Sequence, residues 1–376
     1  MRSIFIALGI AALLPVAHTE QPFVPPPMRW VGDAVADPGP LASDLATDLS
    51  PSSIKVAMRK VADWQLTRIE GRPSQDWTFA ALYAGLIATS ETLRDPRYAR
   101  EVEQAGEQFH WQLGPRESHA DDQAIGQSYL ALYRRTHDRR LIAPMQAQFD
   151  RVLAIPDDPS KPVWWWCDAL FMAPRAWAGL AQVTGQSKYL DYMDREWWIT
   201  TDLLYDPIEH LYSRDATYLD RHEANGRKIF WSRGNGWVMG GIVRVLDVLP
   251  RDYPGRARYV DLLREMANRL AAIQGEDGLW RPGLLDATAY PYAEVSGSAF
   301  YTYAMAWGIN HHVLDRKRFT PVVTRAWRGL LSHIYEDGRL GSIQPIGAAP
   351  DAFQPSSSYV YGVGALLLAG SELARR

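Results

Sequence analysis

The sequence predicts an all-α fold, an (α/α)6 barrel in which six helical hairpins close into a ring. Three observations predict it. About twelve helical segments alternate between amphipathic and apolar, the turns that join them resemble one another, and strand signals are few and short. Repetition of one unit along a chain indicates one repeating architecture rather than several domains.

The helical segments fall into two classes by the faces that they bury. Amphipathic segments have one wet face and suit the outside of a ring. They cover roughly 52–69, 96–113, 139–154, 187–202, 256–274 and 318–335. Apolar segments suit the inside, and they cover roughly 77–91, 121–136, 168–184, 234–249, 297–313 and 357–373. Short strands are expected near 210–214 and 228–231.

A linear helical solenoid is the competing arrangement, because it too repeats one helical unit. A solenoid needs polar capping repeats at its ends. The final helical segment, SYVYGVGALLLAGSELA, is instead among the most apolar in the chain. This favours closure into a ring.

The N-terminus has the pattern of a secretory signal peptide, with Arg2 before an apolar run from Ile4 to Val16. The run is too short to span a bilayer, and a buried N-terminal helix is the alternative. No cysteine lies near the cleavage region, so we expect a periplasmic or secreted protein without a lipid anchor. The expected organisation is a signal peptide over 1–19, a loosely ordered lead-in over 20–50 and the catalytic domain over 51–376.

Composition argues against several classes of partner. The net charge of −3 and a pI near 6.3 give no basic surface for nucleic acid or an anionic membrane. Cys167 is the only cysteine and cannot form an internal disulfide. His119 and His222 lack the spacing of metal ligands, so no metal site is expected. Nothing in the sequence bears on the oligomeric state.

The inner helices of such a barrel run in one direction, so their N-terminal ends meet at one mouth. Charged groups, aromatic rings and glycines concentrate there, in QDW (75–77), HADD (119–122), WWWCD (164–168), SRGNGW (232–237), EVSGS (294–298) and SSSYVYG (356–362). We therefore expect the chemistry at this mouth. The serines of EVSGS do not fit the G-x-S-x-G nucleophile motif, and small residues that begin a tightly packed helix explain them better.

Asp168 follows three consecutive tryptophans. Partial desolvation beside indole rings raises the pKa of a carboxyl group and lets it carry a proton near neutral pH. The alternative is that Asp168 only caps the helix that follows it. The aromatic cluster favours the functional interpretation, because a cap needs no aromatic wall.

His119-Ala120-Asp121-Asp122 brings further acids to the same mouth. Two acids on neighbouring inner helices can divide proton transfer and the orientation of water. Helix capping is again the alternative, and we expect one of the two acids to cap while the other serves the site.

Arg233 lies between Trp231 and Trp237, on a turn that two glycines are expected to make tight. A guanidinium matches a carboxylate through a bidentate fork, which indicates recognition of an acidic sugar. An internal ion pair between Arg233 and an aspartate is the alternative. A phosphate-binding loop does not fit, because no buried strand precedes the glycines.

These motifs resemble the unsaturated rhamnogalacturonyl and glucuronyl hydrolases, glycoside hydrolase family 105, which is related to family 88. The resemblance spans about 52–373. Its carriers are HADDQAIGQSYLALY, WWWCDALFMAPRAWAGLA, WSRGNGWVMGGIVRVLDVLP, SGSAFYTYAMAWGIN and YGVGALLLAGSEL.

The resemblance implies an (α/α)6 barrel, no cofactor and an oligosaccharide substrate with a terminal unsaturated uronic acid left by a polysaccharide lyase. An acid protonates C4 of the C4=C5 double bond, water adds at C5, and the resulting hemiketal opens and expels the next sugar. By motif, Asp168 corresponds to the proton donor and Asp121 to its partner acid. The candidate substrate-binding residues are Trp166, Arg233, Trp237, His119, Asp122, Trp77 and Arg214.

The chain departs from the family pattern at three places. Arg214 in LYSRD stands where some members have a histidine, Phe79 replaces a tyrosine two residues after Trp77, and no histidine occurs just before Trp164. The WWWCDALFM motif favours unsaturated glucuronyl substrates linked to rhamnose. A conventional glycosidase that uses Asp168 with Asp121 or Asp122, and a non-catalytic sugar-binding barrel, are the alternatives.

Overall fold

The computed structural model describes residues 31–156, 158 and 161–375. The expected signal peptide over 1–19 lies outside the described residues. In chain order the described α-helices are α1 (Pro51–Ile69), α2 (Trp77–Leu93), α3 (Arg97–Gln108), α4 (Ala120–Gln123), α5 (Gly126–Thr136), α6 (Ala143–Leu153), α7 (Ala169–Met172), α8 (Pro174–Thr184), α9 (Ser187–Leu204), α10 (Ser232–Leu246), α11 (Arg256–Ala272), α12 (Val295–Asn310), α13 (Arg316–Leu331) and α14 (Val360–Leu373). The predicted all-α fold is confirmed.

The inner helices form a closed ring. Helix α2 packs against α5, and contacts continue through α8, α10, α12 and α14 back to α2. The backbones of the closing pair approach so closely that a Cβ atom on Gly85 would lie 2.7 Å from the carbonyl oxygen of Gly364. The linear solenoid is therefore excluded.

Two inner helices differ from the prediction, because each is broken just after a mouth acid. The segment predicted over 121–136 divides into α4 and α5, and the segment predicted over 168–184 divides into α7 and α8. Pro174 accounts for the second break, since proline has no N–H to donate and its ring clashes with the preceding turn. The breaks leave both acids on short helical turns at the mouth.

The outer helices match the predicted amphipathic set with changed ends. The predicted 96–113 helix ends at Gln108, after which His110 and Trp111 take positive φ values of 51° and 58°. The predicted 139–154 helix begins as a 3-10 turn at Arg139–Leu141 before α6. A short hairpin of β2 (Tyr205–Asp206) and β3 (Leu211–Tyr212) confirms the predicted strand near 210–214.

Residues 31–50 correct the expectation of a loosely ordered lead-in. Strand β1 (Gly32–Asp33) pairs antiparallel with β4 (Ser358–Tyr359), directly before α14. Asp33 accepts hydrogen bonds from Arg68 and Arg339, so this segment is fastened to the barrel. None of the described helices is both long and apolar enough to cross a membrane.

Candidate active site

Asp168 lies at the mouth, directly before α7, and only 8% of the residue is exposed. It occupies the N-cap position of α7, but its side chain accepts no capping hydrogen bond. The interpretation of Asp168 as only a helix cap is therefore wrong, because its carboxylate makes no capping hydrogen bond to α7. The thiol of Cys167 donates to Asp168 Oδ2 at 3.4 Å.

The pKa of Asp168 is raised by burial, while the charges of Arg214 and Arg233 act in the opposite direction. A raised pKa lets the carboxyl group keep a proton at a pH where an exposed aspartate has lost it. Nearby guanidinium groups limit that shift, so the proton can still leave during a reaction.

Asp121 lies opposite, on the short helix α4. Burial, and after it the charge of Asp168, raises the pKa of Asp121 to about 8. His119 supplies the N-cap, because its Nδ1 accepts from the Asp121 N–H at 3.3 Å. Asp121 is thus not used as a cap, and the two carboxyl groups do not both ionise readily near neutral pH.

Asp122 was predicted to bind substrate, and it lines a depression together with Trp77 and Arg116, but its carboxylate is already engaged by Arg116. Its carboxylate accepts from the backbone N–H of Arg116 at 2.7 Å and from Arg116 Nη2 at 2.6 Å. This charge-assisted contact, together with the backbone hydrogen bond, fixes the loop that enters α4. Asp122 therefore has a structural role in the loop that enters α4.

Arg214 is brought to Asp168 by a short antiparallel bridge. The bridge joins Trp166 to Asp215, and the Cys167 N–H donates to the Arg214 carbonyl at 2.8 Å. Arg214 Nε lies 3.9 Å from Asp168 Oδ2, and its Nη1 donates to Asp215 Oδ2 at 2.6 Å. The residue that departs from the family pattern is therefore a positive charge beside the candidate acid.

Asn235 holds the strand that carries Arg214. Its Oδ1 accepts from the Tyr212 N–H at 2.8 Å, and its Nδ2 donates to the Tyr212 carbonyl at 3.0 Å. Asn235 has no exposed surface and lies in the first turn of α10. An asparagine amide can satisfy both backbone groups at once, which fixes β3 against the barrel.

The structure supports neither sequence interpretation of Arg233, recognition of an acidic sugar or an ion pair with an aspartate. Arg233 is 1% exposed, and its Nη1 and Nη2 donate to the carbonyl oxygens of Gln344 and Pro345 at 2.6 and 2.7 Å. Its guanidinium lies between the rings of Trp231 and Tyr361. Among the described residues it forms no ion pair, so its fork holds a loop rather than a substrate carboxylate or an aspartate.

A tight turn was predicted at the glycines around Arg233, but 232–246 is helical throughout. They permit close packing of two helices instead. A Cβ atom on Gly236 would lie 3.0 Å from the Cα of Gly297 on α12. A larger residue at either position would push α10 and α12 apart.

Trp237 and Trp166, which were predicted to bind substrate, have little exposed surface. Trp237 is fully buried against Phe171 and Phe300, below the partly exposed ring of Trp77. Trp166 is 4% exposed and packs on the His119 ring. The exposed indole is Trp165, at 46%, with the Arg214 guanidinium over its face.

Glu294 is a residue that sequence analysis missed. It has no exposed surface and accepts from the N–H groups of Ser296, Gly297 and Gln344. It caps α12 and at the same time holds the loop that Arg233 supports. The only sequence signal was an acid before small residues at a helix start, a capping pattern that does not reveal the distant Gln344.

Two depressions lie near residues of the site, one beside Asp122 and one beside the loop that Arg233 holds. One, of about 230 Å³, is lined by Gln75, Asp76, Trp77 and Arg116 among others. The other, of about 160 Å³, lies between Tyr218 and the loop 344–352. Within the described part of the chain, no group of three or more histidine, cysteine, aspartate or glutamate side chains could hold a metal ion.

Residues 52–376 match the family model described as Glycosyl Hydrolase Family 88. The chain belongs to glycosyl hydrolase family 88. The resemblance inferred from the motifs is thereby confirmed, and the family 88 protein described here is a glycosidase.

Similar proteins extend over nearly the whole chain. A protein of Formosa agariphila named Unsaturated 3S-rhamnoglycuronyl hydrolase is 40% identical over 348 residues, which are 87% of this chain and 92% of that protein. A solved structure called Glycosyl hydrolase family 88, from Bacteroides vulgatus, is 27% identical with a TM-score of 0.83, over 87% of this chain and 99% of that one. Another, named as a polysaccharide lyase, is 30% identical with a TM-score of 0.82, over 86% of this chain and 97% of that one.

Proposed function

We propose that this family 88 glycosidase removes a terminal 4,5-unsaturated uronic acid from oligosaccharides that a polysaccharide lyase has produced. The observation that carries the proposal is the pair Asp168 and Asp121, whose pKa values are both raised. Such a pair retains a proton near neutral pH, which protonation of a carbon atom requires. The Formosa agariphila relative, named for an unsaturated rhamnoglycuronyl substrate, supports the same reaction.

In the proposed reaction Asp168 gives its proton to C4 of the unsaturated ring, and positive charge develops at C5 and the ring oxygen. Water adds at C5 and returns a proton to the Asp168 carboxylate. The product is a hemiketal, which opens and releases the next sugar with a free hydroxyl group. Asp121, whose pKa is raised by burial and by the charge of Asp168, can orient the water.

Arg214 and Trp165 are the best placed groups for an acidic substrate. The Arg214 guanidinium lies at the mouth between Asp168 and the exposed Trp165 ring. A sugar carboxylate can pair with this charge while the ring stacks on the indole. We assign to Arg214 the carboxylate recognition that the sequence had assigned to Arg233.

We further propose an unsaturated glucuronyl residue linked to rhamnose as the preferred substrate. A panel of lyase-generated disaccharides tests this, with glucuronyl or galacturonyl residues at the unsaturated end and rhamnose with or without a 3-sulfate at the other. Release of free rhamnose or its sulfate from the glucuronyl compounds is the expected result. Turnover of saturated aryl glucuronides, with the unsaturated compounds left intact, would show a conventional glycosidase instead.

A polysaccharide lyase is a second candidate, because one solved relative carries that name. The two activities change the double bond in opposite directions. A lyase creates C4=C5 bonds in an intact polysaccharide, while the proposed hydrolase destroys them in short products. Incubation with intact, saturated polysaccharide is expected to leave the ultraviolet absorbance of C4=C5 bonds unchanged, because the proposed hydrolase creates none.

We also propose export of the protein to the periplasm or the medium. The proposal rests on the basic and apolar pattern of residues 2–16. N-terminal sequencing of the protein recovered from its native host tests it. A mature N-terminus near residue 20 is expected, and a chain that begins at Met1 would contradict it.

A further inference from the structure

A second polar cavity lies at the opposite end of the barrel from the mouth. It has a volume of about 250 Å³ and is lined by α5 and α8 together with the last turns of α10 and α14. We call it the base cavity and define it by Gln127, Ser128, Arg134, Arg175, Arg244 and Tyr303. The aromatic rings of Phe171, Phe300 and Trp237 pack between the inner helices nearer the mouth.

Five arginines line the base cavity, and Arg134, Arg175 and Arg244 donate to neutral acceptors. Arg134 Nη2 donates to Gln182 Oε1 at 2.6 Å, Arg175 Nη1 to the Arg244 carbonyl at 3.0 Å, and Arg244 Nε to Gln127 Oε1 at 2.8 Å. Within the described part of the chain, none of the three forms an ion pair. Guanidinium groups gathered in a cavity without a contacting carboxylate repel one another.

Three carboxylates also line the cavity, those of the exposed Glu91 and Asp247 and of the buried Glu372. Glu372 pairs with Arg375 Nη1 at 2.9 Å, and the exposed Asp247 accepts from Trp307 Nε1 at 3.0 Å. The charge of Asp247 acts on Arg134 and Arg175 only from beyond contact distance. Burial, followed by the charges of Arg134 and Arg244, lowers the pKa of Arg175 to about 9.

Ser128 gives an independent sign of a missing partner. It lines the base cavity, is 1% exposed, and its Oγ has no hydrogen-bond partner among the described residues. A buried hydroxyl group without a partner costs free energy, and a bound ion or water satisfies it.

We propose that the base cavity binds a tetrahedral oxyanion, sulfate or phosphate, between Arg134, Arg175 and Arg244. Arginine is the side chain best matched to such ions, because its planar fork donates to two oxygens at once. The Ser128 hydroxyl group would donate to a third oxygen. The bound anion would join three inner helices and relieve the repulsion among their arginines, so it would stabilise the barrel without taking part in catalysis.

The test is titration of the full-length protein, in chloride buffer of matched ionic strength, with sodium sulfate and separately with sodium phosphate. Calorimetry and thermal melting are read together, because both ions also stabilise proteins without saturation by exclusion from the surface. We expect saturable binding of one ion per chain, weakened by about tenfold or more in Arg134→Met and in Arg175→Met. The exposed Arg139→Met is the matched control and is expected to bind as wild type does.

Melting in chloride alone separates this proposal from a structural role for the arginines. Arg134→Met removes one of the guanidinium groups that repel one another, so we expect it to melt higher than wild type in chloride. Sulfate or phosphate should then no longer raise its melting temperature in a saturable way. Absence of saturable binding to either ion would overturn the proposal. So would an Arg134→Met protein that melts lower in chloride and keeps the wild-type response.

Discussion

Arg214 Nε lies 3.9 Å from Asp168 Oδ2, and the same guanidinium donates to Asp215 at 2.6 Å. The arrangement gives the candidate acid a cation that is held in place by a second carboxylate. It also places that cation where an acidic sugar would enter, between Asp168 and the exposed Trp165.

Arg214→Gln removes the charge that holds down the pKa of Asp168, so that pKa rises. The alkaline limb of the pH profile should then move to higher pH, and kcat/KM should fall by about 10- to 100-fold through loss of carboxylate binding. Profiles of kcat/KM for wild type, Arg214→Gln and Arg214→Lys measure both effects. The lysine variant should keep the wild-type limb, and equal profiles for all three proteins would remove Arg214 from the account.

The neighbours Asp121 and Asp122 form a matched pair with different expected roles. Asp121→Asn should lower kcat by about 10²- to 10³-fold while the protein stays folded, because it removes an acid of the site. Asp122→Asn should retain most of kcat but lose about 1–3 kcal/mol of unfolding free energy, since it breaks the contact with Arg116. Steady-state kinetics and urea unfolding of both variants test the assignment, and the reverse pattern would contradict it.

The raised pKa of Asp121 also predicts how stability depends on pH. Its pKa is about 8 in the folded protein and 3.8 in the reference state, so the folded protein binds the proton more tightly than the unfolded chain does. This stabilisation is complete below about pH 3.8 and is lost progressively as the pH rises through 8. Asp121→Asn should therefore melt higher than wild type at pH 9, with a smaller difference at pH 6. A difference that does not change with pH would show that Asp121 ionises normally.

Glu294, which caps α12 and holds the loop at Gln344, predicts a stability effect. Glu294→Gln replaces one accepting oxygen with an NH2 group that faces backbone N–H donors, at a site with no exposed surface. We expect a loss of about 2–4 kcal/mol in unfolding free energy. Asp315→Asn is the matched control, because it alters an exposed N-cap acid that accepts from Arg318 N–H. Urea unfolding should show a loss below about 0.5 kcal/mol for the control, because asparagine and aspartate are nearly equal as N-cap residues.

The fold and the two acids could be predicted from the sequence because both depend on local patterns. Apolar and amphipathic segments repeat regularly, and Asp168 and Asp121 each stand at the start of an apolar segment. The ring then brings these starts together. Arg233 was predicted wrongly because its partners, the carbonyls of Gln344 and Pro345, lie more than a hundred residues away and no local pattern marks them.

The sequence also could not predict which side chains are exposed at the mouth. Three consecutive tryptophans look alike in a sequence, yet the bridge between Trp166 and Asp215 leaves Trp165 outward and Trp166 against His119. Arg116, the partner of Asp122, lies only six residues before it, but the intervening loop gives no sign of the contact. Residue type predicts the chemistry of the mouth, and tertiary contacts decide which side chains are exposed there.

The central claim is that Asp168 starts hydration of a C4=C5 double bond, and ultraviolet absorbance of that bond tests it most directly. Wild type and Asp168→Asn are mixed with a lyase-generated unsaturated glucuronyl-rhamnose disaccharide, with thermal melting as the check that both are folded. We predict that wild type erases the absorbance and that Asp168→Asn does so at least about 10³-fold more slowly. An unchanged signal with wild type, or full activity in folded Asp168→Asn, would contradict the account.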